Sequence, residues 1–310
     1  MNNTLLNNIK KGPTMKPLRI MIVGVEGVGK STAGAAMPNP VFICGEDGLV
    51  GPQFAETASF TPKSWAEVLQ FCDELQASPD HGYKTLVIDT LDWIEPLLYA
   101  HVVQAAKKSD IKNIEDFGYG KGYAIAQQEA RNLLSRLERL NGAGMAVCIL
   151  AHCAVKAFHN PAGEDYDRYE PKVNAKIAGL FREWCDAVLF AQFDQYTKKE
   201  NARAKAKAYG GENRIVHTTH SVAWDAKNRF GLPPVLPLDM GAILEAIQKG
   251  QPADTATLKA ELDALIAQMP EGEKRDKATA WLRAGKFTPQ QLSQMINKVK
   301  TEISLNNQEA

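Results

Sequence analysis

The chain has 310 residues, 45% of them hydrophobic, which is enough to bury the core of one large domain with an appendage or of two modest domains. Its 36 basic residues balance 36 acidic ones, which excludes a global field that attracts polyanions and confines any nucleic-acid contact to a local patch. The five scattered cysteines and the lack of a membrane-length apolar run predict a protein of the reducing cytoplasm with no membrane partner.

The first 15 residues lack a secretory apolar core and predict a flexible arm. Beyond them, strand-length apolar runs alternate with stretches of helical period. The runs cover residues 18–23, 41–44, 86–88, 145–151, 187–193 and 215–224. Near-continuous apolar strands separated by helices predict an α/β core with a mostly parallel sheet and helices on both faces. The last two runs, joined by a polar tract, predict a terminal hairpin.

The composition changes near residues 251–252, where the strand-like runs stop. We therefore predict a core over residues 16–250 and a small C-terminal helical module with a frayed tail over residues 251–310. Leu258, Leu262, Leu265 and Met269 form one apolar stripe in the module. A second stripe, starting at Leu292, follows a helix-capping signal at residues 288–291.

A glycine-rich motif follows the first predicted strand. It reads Gly24-x-x-x-x-Gly29-Lys30-Ser31, the spacing of a nucleotide phosphate loop in the required strand-to-helix context. Glycines let the backbone curl so that successive N–H groups face one anion. Lys30 is predicted to reach the β- and γ-phosphates, and the Ser31 hydroxyl to bind Mg²⁺. The predicted phosphate-binding residues are Gly24, Val25, Glu26, Gly27, Val28, Gly29, Lys30, Ser31 and Thr32.

Two further carboxylates follow predicted strands. Asp89 ends the third strand, where ligands of open α/β sheets bind, and is predicted to orient a water on Mg²⁺. A helix N-cap is the alternative role, although Asp92 fits a cap better. Glu46 is predicted to hold the attacking water, with Asp47 as the lesser candidate. The alternative for this segment is an ordinary turn rich in Gly and Asp.

The order of these motifs resembles that of a RecA-type ATPase over roughly residues 18–240. The resemblance rests on the phosphate loop, "CGEDGL", "LVIDT", "AVCILAHCAVK" and "KIAGLFREWCDAVLFAQFD", in that order. It implies a RecA-like P-loop core that uses ATP and Mg²⁺. It also implies that His152 senses the γ-phosphate, although a core histidine is the alternative. Within that superfamily, "EDFGYGKGY" and "GEDYDRYEPKV" resemble phage ATP-binding proteins of the Sak single-strand-annealing type.

The segment "KNRFG" resembles the late-strand cation pair of RecA-like, RadA-like and DnaB-like assemblies. The resemblance implies that Lys227 and Arg229 reach the γ-phosphate held by a neighbouring protomer, so that hydrolysis depends on a homo-oligomeric ring or filament. Their alternation predicts that both side chains point at one anion. A charged, solvated edge strand is the alternative.

Three loops carry cations, two of them with interleaved aromatic residues, a composition suited to unpaired bases. They span residues 107–123, 156–176 and 197–214, and the first two occupy the places of the DNA loops of the RecA family. A solubilising surface is the alternative for each loop. The predicted DNA contacts are Lys107, Lys108, Tyr119, Lys121, Lys156, Arg168, Lys172, Lys198, Lys199, Arg203, Lys205 and Lys207.

These residues lead to one function and two alternatives. The leading prediction is a phage-type ATPase in the host cytoplasm that binds single-stranded DNA and promotes annealing or strand exchange, with a single-strand-binding protein as a further partner. One alternative is a translocating motor of the DnaB or RadA kind. The other is a nucleotide-gated scaffold with weak hydrolysis, whose helical tail docks a partner.

Overall fold

The structure is a computed structural model. It describes residues 16–46, 48–198, 207–250 and 255–283, with further positions at 287, 291–292, 295–296, 298–299 and 302–303. Several predictions fall outside the described residues: the arm over residues 1–15, the role of Asp47, the DNA contacts of Lys199, Arg203 and Lys205, and most of the capping signal at residues 288–291.

Ten strands, eight α-helices and three short 3₁₀ helices (Pro52–Phe54, Pro79–His81 and Ile114–Phe117) are assigned within the described residues. The strands are β1 (Arg19–Gly24), β2 (Pro40–Cys44), β3 (Ala58–Phe60), β4 (Thr85–Asp89), β5 (Ala146–Phe158), β6 (Tyr166–Pro171), β7 (Ala187–Lys198), β8 (Lys207–His217), β9 (Lys227–Asn228) and β10 (Val235–Pro237). The helices are α1 (Lys30–Ala35), α2 (Trp65–Ala77), α3 (Leu91–Ala106), α4 (Lys121–Gly142), α5 (Ala175–Trp184), α6 (Met240–Gly250), α7 (Thr255–Ala267) and α8 (Glu273–Arg283).

The strands form one mixed sheet, in which eight follow the order β10-β8-β7-β1-β5-β4-β2-β3, while β6 pairs with β5 and β9 with β7. From β7 to β3 all neighbours are parallel, while β8 and β10 add antiparallel strands at one side. Strand β1 lies centrally, with Gly24 level with His152 of β5 and Ala191 of β7. The carboxyl ends of β1, β2, β4 and the parallel part of β5 therefore meet at one sheet edge, where ligands of such folds bind.

Helices cover both faces of the parallel strands, as near-continuous apolar strands require. Buried side chains of α2, α3, α4 and α5 form one cluster with alternate residues of the strands, among them Met21 and Ile149. On the other face α1 packs closely, since a Cβ on Gly34 would lie 3.0 Å from Val87. Both observations confirm the predicted α/β fold class of a P-loop core.

The terminal hairpin is confirmed, but its strands differ from the prediction. Strands β7 and β8 pair antiparallel and extend into the tract predicted as polar connection, to Lys198 and from Lys207. The predicted run over residues 215–224 was wrong in its second half, because β8 ends at His217. Beyond that point the Thr218 hydroxyl donates a hydrogen bond to the Pro233 carbonyl. Trp224, at the end of the predicted run, stacks on Phe190 and so packs against the sheet without being part of a strand.

The chain divides into two compact units, residues 1–243 and 244–310. In the second unit, Leu262, Ile266 and Met269 share a small core with Ala278 of α8, which lies between the two predicted stripes, and with Leu292, Ile296 and Val299. The predicted division at residue 251 stays a prediction. Across the ranges given above, no helix combines the length and the apolarity needed to cross a membrane.

Candidate nucleotide site

The predicted phosphate loop joins β1 to α1 at the carboxyl edge of the sheet. Two of its glycines, Gly27 and Gly29, have φ values of 71° and 101°, in the left-handed region that favours glycine. Gly24 is needed for a different reason, because a Cβ there would lie 2.5 Å from the Ala191 carbonyl oxygen. The motif glycines thus allow both the curl of the loop and its close approach to β7.

Lys30 is buried and folds back onto its own loop. Its Nζ donates hydrogen bonds to the carbonyl oxygens of Val25 at 2.9 Å and Gly24 at 3.2 Å. Burial lowers the pKa of Lys30, opposed by nearby groups that include Asp92 and Asp89. These carbonyls hold the ammonium group at the loop, where phosphate oxygens would replace them as acceptors.

Asp89 lies next to the loop, as its place at the end of β4 predicts. Its carboxylate accepts a hydrogen bond from the Ser31 hydroxyl. Burial raises the pKa of Asp89, while the Ser31 bond and the Lys30 charge lower it. A carboxylate and a hydroxyl in contact are oxygen donors of the kind Mg²⁺ prefers, so these residues fit the metal. When bound, Mg²⁺ would neutralise charge on the phosphates.

Glu46 follows β2 and lies half-buried near the same group of side chains. The Gly45 N–H donates to the Asp89 carbonyl at 2.9 Å, which fixes the start of the Glu46 segment beside β4. Burial raises the pKa of Glu46; Asp89 and Asp92 act in the same direction, and His152 and Lys30 against it. The electrostatic neighbours of Glu46 therefore include three other predicted site residues, Asp89, His152 and Lys30. Its role as general base stays a prediction.

His152 is held by Asp92, a contact that the sequence did not predict. The Asp92 carboxylate accepts from the His152 backbone N–H and contacts its Nδ1, both at 2.9 Å. Burial acts to raise the pKa of Asp92, but the bonds from His152 outweigh it and lower that pKa. The N-cap position of α3 belongs to Thr90, so the cap role considered for Asp92 was wrong. With Nδ1 engaged, His152 can offer Nε2 to a ligand.

Lys172, whose DNA contact stays a prediction, forms an ion pair with the phosphate loop. Its Nζ lies 2.8 Å from Glu26 Oε1, and its backbone N–H donates to the His152 carbonyl at 2.9 Å. The hydrogen bond and charge of Lys172 lower the pKa of Glu26. Both side chains are exposed, so the pair contributes little stability. Its position matters more, because it connects the end of β6 to the loop.

Within their own chain, Lys227 and Arg229 contact different groups, while the anion of the prediction belongs to a neighbouring protomer. Lys227 Nζ donates to the carbonyls of Arg182, Glu183 and Cys185 at 3.2, 2.8 and 2.6 Å, which caps the end of α5. Arg229 Nη1 lies 2.9 Å from Asp186 Oδ1.

Strand β9 explains this arrangement of the two cations. It pairs with Ala187 and Val188 at the start of β7, level with Ile20 and Met21 rather than with Gly24. Both cations therefore lie at the sheet edge opposite their own phosphate loop. Action on a neighbouring protomer stays a prediction.

We expect Lys227→Met to lower the free energy of unfolding by about 1–2 kcal/mol, because it removes charged donors from carbonyls at a helix end. Urea denaturation would measure the free energy of unfolding. Lys176→Met, at an exposed position of α5, is the matched control and should change stability little. Unchanged stability together with loss of ATP turnover in the assembled protein would instead support the role in trans.

The remaining predicted DNA contacts divide by exposure. Arg168 is buried and lies 2.6 Å from Asp225 Oδ1, so it is not the exposed cation that the prediction requires. Lys156 is exposed and donates to the Pro171 carbonyl at 2.9 Å. Tyr119 is fully exposed with φ 46°. Other exposed candidates are Lys107, Lys108, Lys121 and Lys207. Lys198 is described only as part of β7.

Comparisons with known proteins identify the family to which the chain belongs. Among solved structures, the crystal structure of the RadB recombinase matches with 13% identity and a TM-score of 0.37, over 68% of this chain and 84% of that chain, a likeness too low to carry an argument. A search among curated proteins finds no match. A family model described as an AAA domain matches residues 16–230, which include the whole phosphate loop and the site around it. The chain therefore belongs to this AAA domain family.

Proposed function

We propose that the chain hydrolyses ATP with Mg²⁺ and acts as a homo-oligomeric recombination protein that anneals or exchanges single-stranded DNA, in the manner of phage Sak-type proteins. One observation carries the hydrolytic part. Four groups from the ends of four strands lie at one edge of the sheet: the phosphate loop, Asp89, Glu46 and the Asp92–His152 pair. Phosphoryl transfer needs such positioning and charge more than covalent chemistry.

Each side chain has a distinct role in this proposal. Lys30 exchanges its loop carbonyls for phosphate oxygens, and Ser31 with Asp89 holds the metal. Glu46 accepts a proton from the attacking water, for which its carboxylate must be ionised. His152, oriented by Asp92, donates from Nε2 to the terminal phosphate. These roles assign charge stabilisation to Lys30 and His152 and proton transfer to Glu46.

Exposed residues of the first predicted DNA loop support single-strand binding. Lys107 and Lys108 follow α3, and Tyr119 projects fully into solvent two residues before Lys121. An exposed aromatic ring among lysines can stack on an unpaired base while the cations neutralise phosphates. Because contacts between lysines and phosphates release counterions, we expect this binding to weaken steeply with salt.

The β5–β6 hairpin offers a physical connection between DNA and nucleotide. Strand β5 runs from the parallel sheet through His152 into the hairpin, and Lys172, just after β6, binds Glu26 of the phosphate loop. A ligand that moves the hairpin would therefore act on both the terminal-phosphate sensor and the loop. This connection supports hydrolysis that depends on DNA.

ATP turnover, measured with and without single-stranded DNA alongside the mass in solution, tests the proposal. We expect Mg²⁺-dependent hydrolysis that single strands stimulate several-fold more than duplex, in an oligomer. Strand displacement driven by ATP would favour the translocating motor. Nucleotide binding without turnover would favour the scaffold. A chain that binds no nucleotide would contradict the proposal entirely.

A further inference from the structure

An arginine from the terminal hairpin lies against the phosphate loop. Arg214 of β8 pairs in register with Phe193 of β7, two residues beyond Ala191, which is level with Gly24 at the end of β1. Strand β8 therefore carries Arg214 just past the point where the phosphate loop begins. Arg214 is the last residue of the third predicted DNA loop, over residues 197–214, and is not among the predicted DNA contacts.

The contact with the loop is close. A Cβ placed on Gly29 would lie 3.0 Å from Arg214 Nη1 and 3.8 Å from its Cδ and Cζ. Gly29 directly precedes Lys30 in the motif, so the guanidinium group lies over the part of the loop that holds phosphates. The side chain is exposed, which leaves it accessible to a ligand in the loop.

The electrostatic surroundings of Arg214 differ from those of other arginines in this half of the core. Arg168, Arg182 and Arg229 all pair with carboxylates. Among the residues that the structure describes, the Arg214 side chain makes no hydrogen bond or ion pair. It lies instead beside a loop that already holds the buried cation Lys30. Two positive groups at one loop are favourable when an anion lies between them.

We propose that Arg214 binds the phosphate chain of the nucleotide held by its own protomer. The planar guanidinium presents paired N–H donors that match phosphate oxygens, which a lysine ammonium does not. Arg214 thereby supplies in cis a phosphate contact from the hairpin, and the nucleotide joins β8 to the loop. The inference rests on the proposed nucleotide site and adds a residue that the motif does not contain.

Calorimetric titration with ATP, ADP and adenosine tests this inference. We expect Arg214→Ala to bind ATP and ADP about 10- to 100-fold more weakly, the effect of losing a charged hydrogen bond, with adenosine affinity unchanged. Arg214→Lys should recover only part of the loss. Arg131→Ala, which removes an exposed arginine of α4, is the matched control and should bind all three ligands like the wild type.

The outcomes separate this inference from the proposed function. ATP binding by Arg214→Ala within twofold of the wild type would overturn the inference and leave the function intact. An equal loss for adenosine would also overturn it, since that indicates a structural role. No ATP binding by the wild type would overturn both. Mixing Lys30→Ala with Arg214→Ala should restore no binding to the loops of the Arg214→Ala protomers, which keep Lys30, whereas an increase would place the arginine in trans.

Discussion

The Lys30→Ala variant is expected to bind ATP at least about 100-fold more weakly than the wild type, because hydrogen bonds from a charged donor to phosphates are lost. The fold should survive, since the hydrogen bonds that the Lys30 side chain makes to described residues go to carbonyls of its own loop, Gly24 and Val25. Burial disfavours the charged form of Lys30 and lowers its pKa, so truncation also removes a desolvated cation. Calorimetry with ATP measures the loss, and thermal unfolding without nucleotide checks the fold.

Lys63→Ala is the matched control for this experiment. Lys63 is exposed just before α2, and its removal should leave ATP affinity unchanged. If Lys30→Ala binds ATP within threefold of the wild type while both variants are folded, the loop is not the phosphate site. The proposed function would then lose its main support.

Glu46→Gln should lower turnover about 100- to 1,000-fold and leave ATP affinity within about threefold. Glutamine keeps the shape of the side chain but cannot accept a proton, and general-base catalysis contributes effects of this size. The position of Glu46 beside Asp89, Asp92, His152 and Lys30 supports this expectation. Single-turnover hydrolysis with saturating ATP separates the chemical step from binding and product release.

Glu56→Gln serves as the control, because Glu56 is exposed and lies on the segment that follows β2. Its turnover should equal that of the wild type. If Glu46→Gln hydrolyses ATP at the wild-type rate, Glu46 is not the base. If it loses ATP affinity as strongly as Lys30→Ala, Glu46 instead supports the binding site.

Much of the candidate nucleotide site could be predicted because its determinants are local. The spacing of Gly24, Gly29 and Lys30 fixes the loop, and apolar runs fix the strands whose ends carry Asp89 and His152. Pro38 and Pro40 are typical of an early helix end, and α1 spans only Lys30–Ala35. Short-range patterns of this kind determine backbone conformation directly.

Contacts between distant residues could not be predicted. Asp92 and His152, Glu26 and Lys172, and Gly29 and Arg214 are brought together only by strand order and register. The contacts of Lys227 within its own chain also depend on strand register. Its motif resembles a cation pair for phosphate, but β9 pairs at the start of β7, where the nearest acceptors are the carbonyls at the end of α5.

Strand β5 has a mechanical consequence. Its first part is bonded to β1 and β4, its second part only to β6, and His152 stands where the two parts meet. Because no loop separates the two parts of β5, a displacement of the β5–β6 hairpin would also displace His152. Because coupling between two binding sites is reciprocal, the affinity of the β5–β6 hairpin for its ligand would depend in turn on the state of the bound nucleotide.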